Sequence, residues 1–452
     1  MDVQKVDKED KKQSVDSPAA GCKATSPVST KKKNRTQEHL SRNRKLYISG
    51  AIIAVAIAAW LIPSPINMSR SPITKFIDAE SNPKIEVDTV GMVLADGSVY
   101  DGNLLKGTTV REGYGRLRTK AGIVYEGEWT DNHLDYGSMT GSSFVYRGHF
   151  NHKLQRDGFG IISYNVPKDM NAHWLATDGA KTVSQYIGNW DSDEKQGLGR
   201  TVFADGKMEF GEYHKGTFKP AKGADYEVGQ RVYGMDISHH QNKIDWNNLS
   251  IYCNSEGVAN AGKHKKTQYR QPVFFVYVKA TEGADYIDPT YAIRVIEAER
   301  HGVTKGAYHF FRIASDIKEQ VKNFVNTVSW TKGDMPPALD VEDEKMLTSM
   351  GTERLLTWVY TWLEDVESQM HVRPIIYTTE GIRDKYLKKD PRFNKYQCWI
   401  ARYREKEPEN KVWRIWQFTE TGRVSGYKGP IDGNIYKGGY AAFQEYLDRQ
   451  GS

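Results

Sequence analysis

The spacing of hydrophobic and polar positions changes character three times along this 452-residue chain. From Leu46 to Met68 (LYISGAIIAVAIAAWLIPSPINM) no charged residue occurs, and Leu46 to Ile62 is almost wholly apolar. At 1.5 Å of rise per residue such a run spans a bilayer, so the pattern predicts a transmembrane helix over 46–66. From about Gly91 to Tyr213 the apolar positions are aromatic and alternate about glycines, as in YEGEW (Tyr125–Trp129), YRGHF (Tyr146–Phe150) and YIGNW (Tyr186–Trp190). Between these steps lie Gly-x-Gly steps, GYG at Gly113, GFG at Gly158 and GLG at Gly197. This alternation predicts short strands joined by Gly, Asp and Asn turns into stacked hairpins.

A third pattern begins at Arg231. Strand-like runs (VYGMDIS, VFFVYVKATEG, KGAYHFF, PPALDVE, RPIIYTT) alternate with amphipathic stretches such as DIKEQVKNFVNTV and TERLLTWVYTWLEDVESQ, while QCWIARY and WRIWQFT follow with little helix between them. Repeated β-α units of this spacing predict an α/β domain with a parallel sheet, either a barrel or a doubly wound sheet.

Charge refines the organisation. The net charge is +6, and residues 1–45, with 12 Lys/Arg against 6 Asp/Glu, account for all of it. That segment is polar, lacks aromatic residues and is expected to be a disordered tail. The remainder is balanced, which argues against a nucleic-acid partner. Arg42, Arg44 and Lys45 abut the apolar run, so the positive-inside rule predicts a cytoplasmic N-terminus with everything after about Ser69 outside. Cys22, Cys253 and Cys398 form no disulfide framework. The domains expected are a tail (1–45), the transmembrane helix (46–66), a linker (67–90), a repeat region (91–218) and a catalytic domain (231–452).

The chemistry is concentrated in PPALDVEDE, Pro336–Glu344. Side chains alternate along a strand, so Asp340 and Glu342 share one face, opposite Leu339 and Val341. Two neighbouring carboxylates repel, which raises the pKa of one of them and suits an acid working beside an anion. Asp236, Lys279, Glu282, Tyr308 and His309 also fall at predicted strand ends, where reactive groups of a barrel collect. Neither a G-x-S-x-G elbow nor an H-E-x-x-H helix occurs, and adjacent His239 and His240 diverge on a strand. No metal and no cofactor is implied.

Two resemblances follow from these motifs. Residues 91–218 resemble the MORN repeat family, whose surface implies either a rigid spacer or a docking surface for a protein or lipid partner. Residues 231–447, through YGMDISHHQ, FVYVKATEG with Asp288 and Pro289, GAYHFF, ALDVE, WIARY, WQF and IDGN in order, resemble glycoside hydrolase family 25, the N-acetylmuramidase type of lysozyme. The second resemblance implies an irregular, TIM-like β/α barrel that cleaves the β-1,4 bond after N-acetylmuramic acid in peptidoglycan. By motif, Glu342 becomes the general acid, Asp340 its partner, and Asp236 and Asp432 acids lining the cleft. Lys279, Glu282, Tyr308, His309, Tyr377, Trp416, Gln417 and Asn434 become sugar contacts. Gly433 stands where the family usually has a larger apolar residue, and the polar stretch Asn254–Arg270 is long. Together these readings describe a single-pass protein of the bacterial cytoplasmic membrane with an extracytoplasmic muramidase domain. A wall-binding scaffold without activity, and a glycosidase for another N-acetylhexosamine polymer, stay open as alternatives.

Overall fold

A computed structural model of the chain describes residues 87–166, 181–223, 227–255, 257–258, 269–342, 344–404, 406–409 and 413–451. All belong to one compact unit, Ile52–Ser452. The expected tail, transmembrane helix and most of the linker lie outside the described residues.

The first part is an antiparallel meander of eleven strands in sequential order. They are β1 (Val87–Val93), β2 (Val99–Leu105), β3 (Arg111–Arg118), β4 (Val124–Thr130), β5 (His133–Thr140), β6 (Phe144–Phe150), β7 (Arg156–Tyr164), β8 (Val183–Asp191), β9 (Glu194–Phe203), β10 (Met208–His214) and β11 (Thr217–Pro220). Glycines face glycines across this array, Gly102 with Gly115, Gly148 with Gly160 and Gly188 with Gly199. The reason is steric. Tyr100, Tyr146 and Tyr186 are fully buried, and each lies over a glycine pair so that its hydroxyl donates to a carbonyl three residues on, at 2.9, 2.9 and 3.0 Å. A Cβ on Gly115, Gly160 or Gly199 would stand 2.0, 2.3 or 2.5 Å from the tyrosine oxygen. Glycine there is a requirement of packing. Trp129 and Trp190 complete the aromatic core edge-on to Tyr100 and Tyr186, each under an arginine, Arg111 at 4.3 Å and Arg156 at 4.2 Å.

The second part is a closed barrel. Its strands are β12 (Val232–Ile237), β15 (Val273–Glu282), β17 (Thr304–Phe310), β18 (Ala338–Asp340), β19 (Ile375–Thr379), β20 (Cys398–Ala401), β21 (Trp413–Gly422) and β23 (Ile431–Tyr436). β12 pairs with both β23 and β15, which closes the ring. β16 (Tyr286–Ile287) extends β15 as a hairpin, and β13 (Ser250–Cys253), β14 (Tyr269–Gln271) and β22 (Val424–Ser425) form a separate small sheet. Among the described residues six α-helices accompany the strands: α1 (Tyr291–Arg300), α2 (Ile317–Thr327), α3 (Glu344–Ser349), α4 (Thr352–Met370), α5 (Glu380–Lys385) and α6 (Tyr440–Asp448). α4 buries Leu355, Leu356, Val359, Trp362, Leu363 and Val366. Those positions recur at the helical period and lay one stripe on the barrel.

Two expectations are corrected here. The domain is not plainly a TIM barrel: it is β-rich, β23 runs antiparallel to both its neighbours, and among the described residues helices follow only some strands. The membrane location is also withdrawn, because no helix among the described residues is long and apolar enough to cross a membrane.

The array packs against the amino ends of the barrel strands. Phe159 meets His301 with ring centroids 4.3 Å apart, Arg200 lies 4.7 Å over Phe274, and Asn189 donates to the carbonyl of Asn247 at 2.9 Å. Arg270 bonds Glu212 at 2.9 Å. The carboxyl ends of the strands are left to the site.

Candidate active site

Strand parity sorts the acidic residues. In β12, β18, β19, β21 and β23, Val232, Ala338, Ile375, Ile415 and Tyr436 fill the barrel interior with Tyr277 and Trp399, while Met235, Leu339, Ile376, Trp416 and Ile435 join the outer layer beneath the helices. Asp236, Asp340, Tyr377, Gln417 and Asn434 share the interior parity of their strands: Asp340, Tyr377 and Gln417 lie two residues nearer the carboxyl end, Asp236 four, and Asn434 on the matching antiparallel rung. Asp236 faces Asp432 across the β12–β23 ladder, and Gln417 faces Asn434 across β21–β23.

A hydrogen-bond network fixes Asp236. Asn434 Nδ2 donates to its Oδ1 at 2.7 Å and Gln417 Nε2 at 3.0 Å. Trp399 Nε1 holds Asn434 Oδ1 at 2.7 Å, and the hydroxyls of Tyr377 and Tyr403 both donate to Gln417 Oε1 at 2.9 Å. Each amide is therefore oriented from behind, so that its N–H side points at the carboxylate. Burial pushes Asp236 up to about 6, against the opposing pull of Asn434 and Gln417. Its neighbour Asp432 is pushed up to about 9 by burial and by the Asp236 charge. The two carboxyls titrate as one interacting pair, both held above the ordinary carboxylate range.

Asp340 ends β18 and is buried, and its Oδ1 has no hydrogen-bond partner. Burial, then the charges of Glu342 and Asp236, hold its pKa well above the ordinary carboxylate range, while Lys279 and Arg312 oppose them. Glu342 lies two residues beyond the strand and is exposed. β18 is only three residues long, so simple alternation stops at Asp340; the two carboxylates remain close enough to feel one another but differ sharply in burial. Lys279, also buried, bonds Glu282 at 2.5 Å, and Glu282 accepts from Arg312 Nε at 2.7 Å. Tyr308 packs edge-on to Trp399 with centroids 6.4 Å apart, and burial together with Asp236, Asp340 and Asp432 raises its hydroxyl pKa.

Two expected sugar contacts are not brought to this cleft. His309 is fully buried on the outer parity, bonded to Thr281 at 2.7 Å and Gln320 at 3.1 Å and stacked on Trp362 of α4 at 5.6 Å. Burial pushes its pKa to about 4, so it is a neutral core residue. Trp416 is likewise buried outward and donates to the carbonyl of Arg402 at 2.7 Å. Conversely, Trp399, Tyr403 and Arg312 join the site without having been singled out. The first two lie in the WIARY motif, and interior parity with Ala401 marks both. Among the described residues no cluster of His, Cys, Asp and Glu is arranged to hold a metal ion.

Such a constellation, several acids at the open end of a barrel with aromatic residues around them, suits acid catalysis on a sugar polymer. Comparison with known proteins gives the same direction. Residues 235–427 match the model of glycosyl hydrolases family 25. The uncharacterised protein YegX of Escherichia coli strain K12 is 31% identical over 219 residues, covering 48% of this chain and 74% of YegX. Lysozyme M1 of Streptomyces globisporus is 28% identical over 228 residues, covering 46% and 69%. A bacterial lysozyme structure from Streptomyces coelicolor, 27% identical, superposes with a TM-score of 0.41 over 48% of this chain and 97% of its own. The chain belongs to the glycosyl hydrolases family 25 and is a glycoside hydrolase of the muramidase type.

Proposed function

We propose that this enzyme hydrolyses the β-1,4 bond between N-acetylmuramic acid and N-acetylglucosamine in peptidoglycan, with retention of anomeric configuration through assistance by the substrate's own 2-acetamido group. The observation that carries this is the contrast between Asp340, buried with an unpartnered Oδ1, and Glu342, exposed beside it. A buried acceptor with nothing to accept from suits the N–H of an acetamido group. Once that bond forms, the anion of Asp340 is favoured. The sugar also covers Glu342, and desolvation raises its proton affinity. Substrate binding thereby moves the proton from Asp340 to Glu342, which then protonates the leaving oxygen while the acetamido carbonyl attacks the anomeric carbon. Water opens the resulting ring with Glu342 as base, restoring the acid. Asp236 and Asp432 line the floor, with Tyr308, Tyr377, Gln417 and Asn434 as sugar contacts. The array serves as a rigid spacer, a role its close packing on the barrel supports.

The test is reducing-end release from purified peptidoglycan by the full chain, beside Glu342→Gln, with product masses and the anomer formed read by NMR. Release of muropeptides ending in N-acetylmuramic acid as the β-anomer, lost in the variant, is the expected result. An inverted first product would remove substrate assistance and make Asp236 or Asp432 the base. Wall binding without release by either protein would leave a scaffold.

A further inference from the structure

Between the array and the amino ends of the barrel strands lies a half-open gap of about 50 Å³. Phe159, Ile187, Phe210 and Val303 give it apolar walls, and Arg200 and Trp246 supply polar atoms. Both of these residues are more than nine-tenths buried, Arg200 6% exposed and Trp246 5%. Arg200 Nε and Trp246 Nε1 have no hydrogen-bond partner. The guanidinium rests on the ring of Phe274, and no carboxylate pairs with it among the described residues. His301, on the same wall, has both ring nitrogens occupied, by the carbonyl of Glu297 at 2.6 Å and by Asn247 Oδ1 at 2.9 Å.

A guanidinium keeps its charge over the whole working pH range, and burying one without a counter-charge is among the least favourable arrangements a core can hold. Two unsatisfied donors at an apolar gap ask for an acceptor that is anionic, small and partly apolar. We infer that the gap between array and barrel is a binding site for a small carboxylate, whose oxygens accept from Arg200 and from the Trp246 indole and whose short apolar body lies against Phe159, Ile187 and Phe210. A gap of this size admits roughly three to four waters or one group the size of acetate. One guanidinium and one indole N–H match the single charge of a carboxylate; a phosphate dianion would need more donors than are present. The anion comes either as a free small carboxylate or as the terminal carboxylate of a wall peptide, entering methyl first.

The experiment is calorimetric titration and thermal denaturation of the full chain with sodium acetate, N-acetyl-D-alanine and sodium phosphate. Saturable binding of acetate and N-acetyl-D-alanine alike supports a site for free carboxylates; binding of N-acetyl-D-alanine alone supports one for a peptide terminus. Arg200→Met is expected to abolish binding and to raise the ligand-free midpoint, since the uncompensated charge is gone. Trp246→Phe keeps an aromatic ring while removing the indole N–H, and is expected to weaken binding about tenfold or more; it serves also if Arg200→Met fails to fold. Glu342→Gln must bind as the parent does, which separates this site from hydrolysis. No saturable binding to the parent, equal binding by Arg200→Met, or tighter binding of phosphate would overturn the inference.

Discussion

The two ends of one barrel are built to opposite rules. At the carboxyl ends of the strands Asp236, Asp340, Glu342 and Asp432 crowd together, three of them with pKa values raised by burial and mutual repulsion. At the amino ends the array lays Phe159, Ile187, Leu198 and Phe210 against the loops before β15 and β17, with Arg200 among them. One end gathers carboxyl groups in a cleft, and the other is a mainly apolar contact that holds one buried guanidinium. The difference implies that chemistry and stability can be perturbed separately, by substitutions at one end or the other.

The largest separation is expected at Glu342. Glu342→Gln removes the proton donor, so turnover of peptidoglycan should fall by about 10³-fold. Because the side chain is exposed, the thermal midpoint should stay where it is. A midpoint that fell with activity would break the comparison. The mirror experiment is Gly160→Ala in the array. Its Cβ would lie 2.3 Å from the hydroxyl oxygen of Tyr146, a clash that a fully buried tyrosine can relieve only by shifting the sheet, and a loss of about 3 kcal/mol is expected in chemical denaturation. Turnover per folded molecule should be unchanged. If turnover dropped too, the array would have to reach the cleft through the barrel.

Asp236 sharpens the argument because one substitution acts on both quantities. Its carboxyl is raised to about 6 from an ordinary 3.8. A raised carboxylate contributes stability that is fully present below the unfolded value and lost as pH rises through the folded one. Asp236→Asn keeps an Oδ1 acceptor for Asn434 and Gln417 while removing the charge. The variant should match the parent near pH 3.5, gain on it between about pH 4 and 6, and lead by up to about 3 kcal/mol at pH 7. Its activity should fall at every pH. Denaturation curves across that range are the measurement, and a lead that grew toward low pH would refute the assigned shift.

Much of this was legible in the chain, for reasons that differ by region. In the array a single steric need, a tyrosine over a pair of glycines, repeats from strand to strand, and so it leaves a repeating mark in the sequence. In the barrel the acids were legible as charges interrupting apolar strand runs. The inward face of each strand was less so. His309 and Trp416 were expected beside Tyr308 and Gln417 from their place at strand ends and in the family motifs, but neighbours on a strand point to opposite faces, and those two side chains are buried in the outer layer. Trp399 went unrecognised because its role is to hold Asn434, a contact 35 residues away that no local pattern announces. The expected TIM-like regularity failed at the closure of the ring, where the antiparallel β23 pairs with β12 and β21.

The smallest effect expected concerns the back of the network. Gln417 Oε1 accepts from two hydroxyls, Tyr377 and Tyr403, each at 2.9 Å. Either bond alone orients the amide so that Nε2 points at Asp236. Tyr403 is 45% exposed and its loop is open to solvent, whereas Tyr377 is buried beside Trp399. Tyr403→Phe should therefore lower kcat by less than threefold, since Tyr377 still holds the amide and water can replace the lost donor. Tyr377→Phe should cost somewhat more, because that side chain is buried. With both hydroxyls removed the amide is free to turn its oxygen toward Asp236, and an acceptor facing a carboxylate repels it. The double variant should then lose more than the product of the single losses, and its pH profile should move upward as Asp236 forfeits a stabilising donor. Additive losses would mean that Gln417 is fixed by its strand and not by its tyrosines.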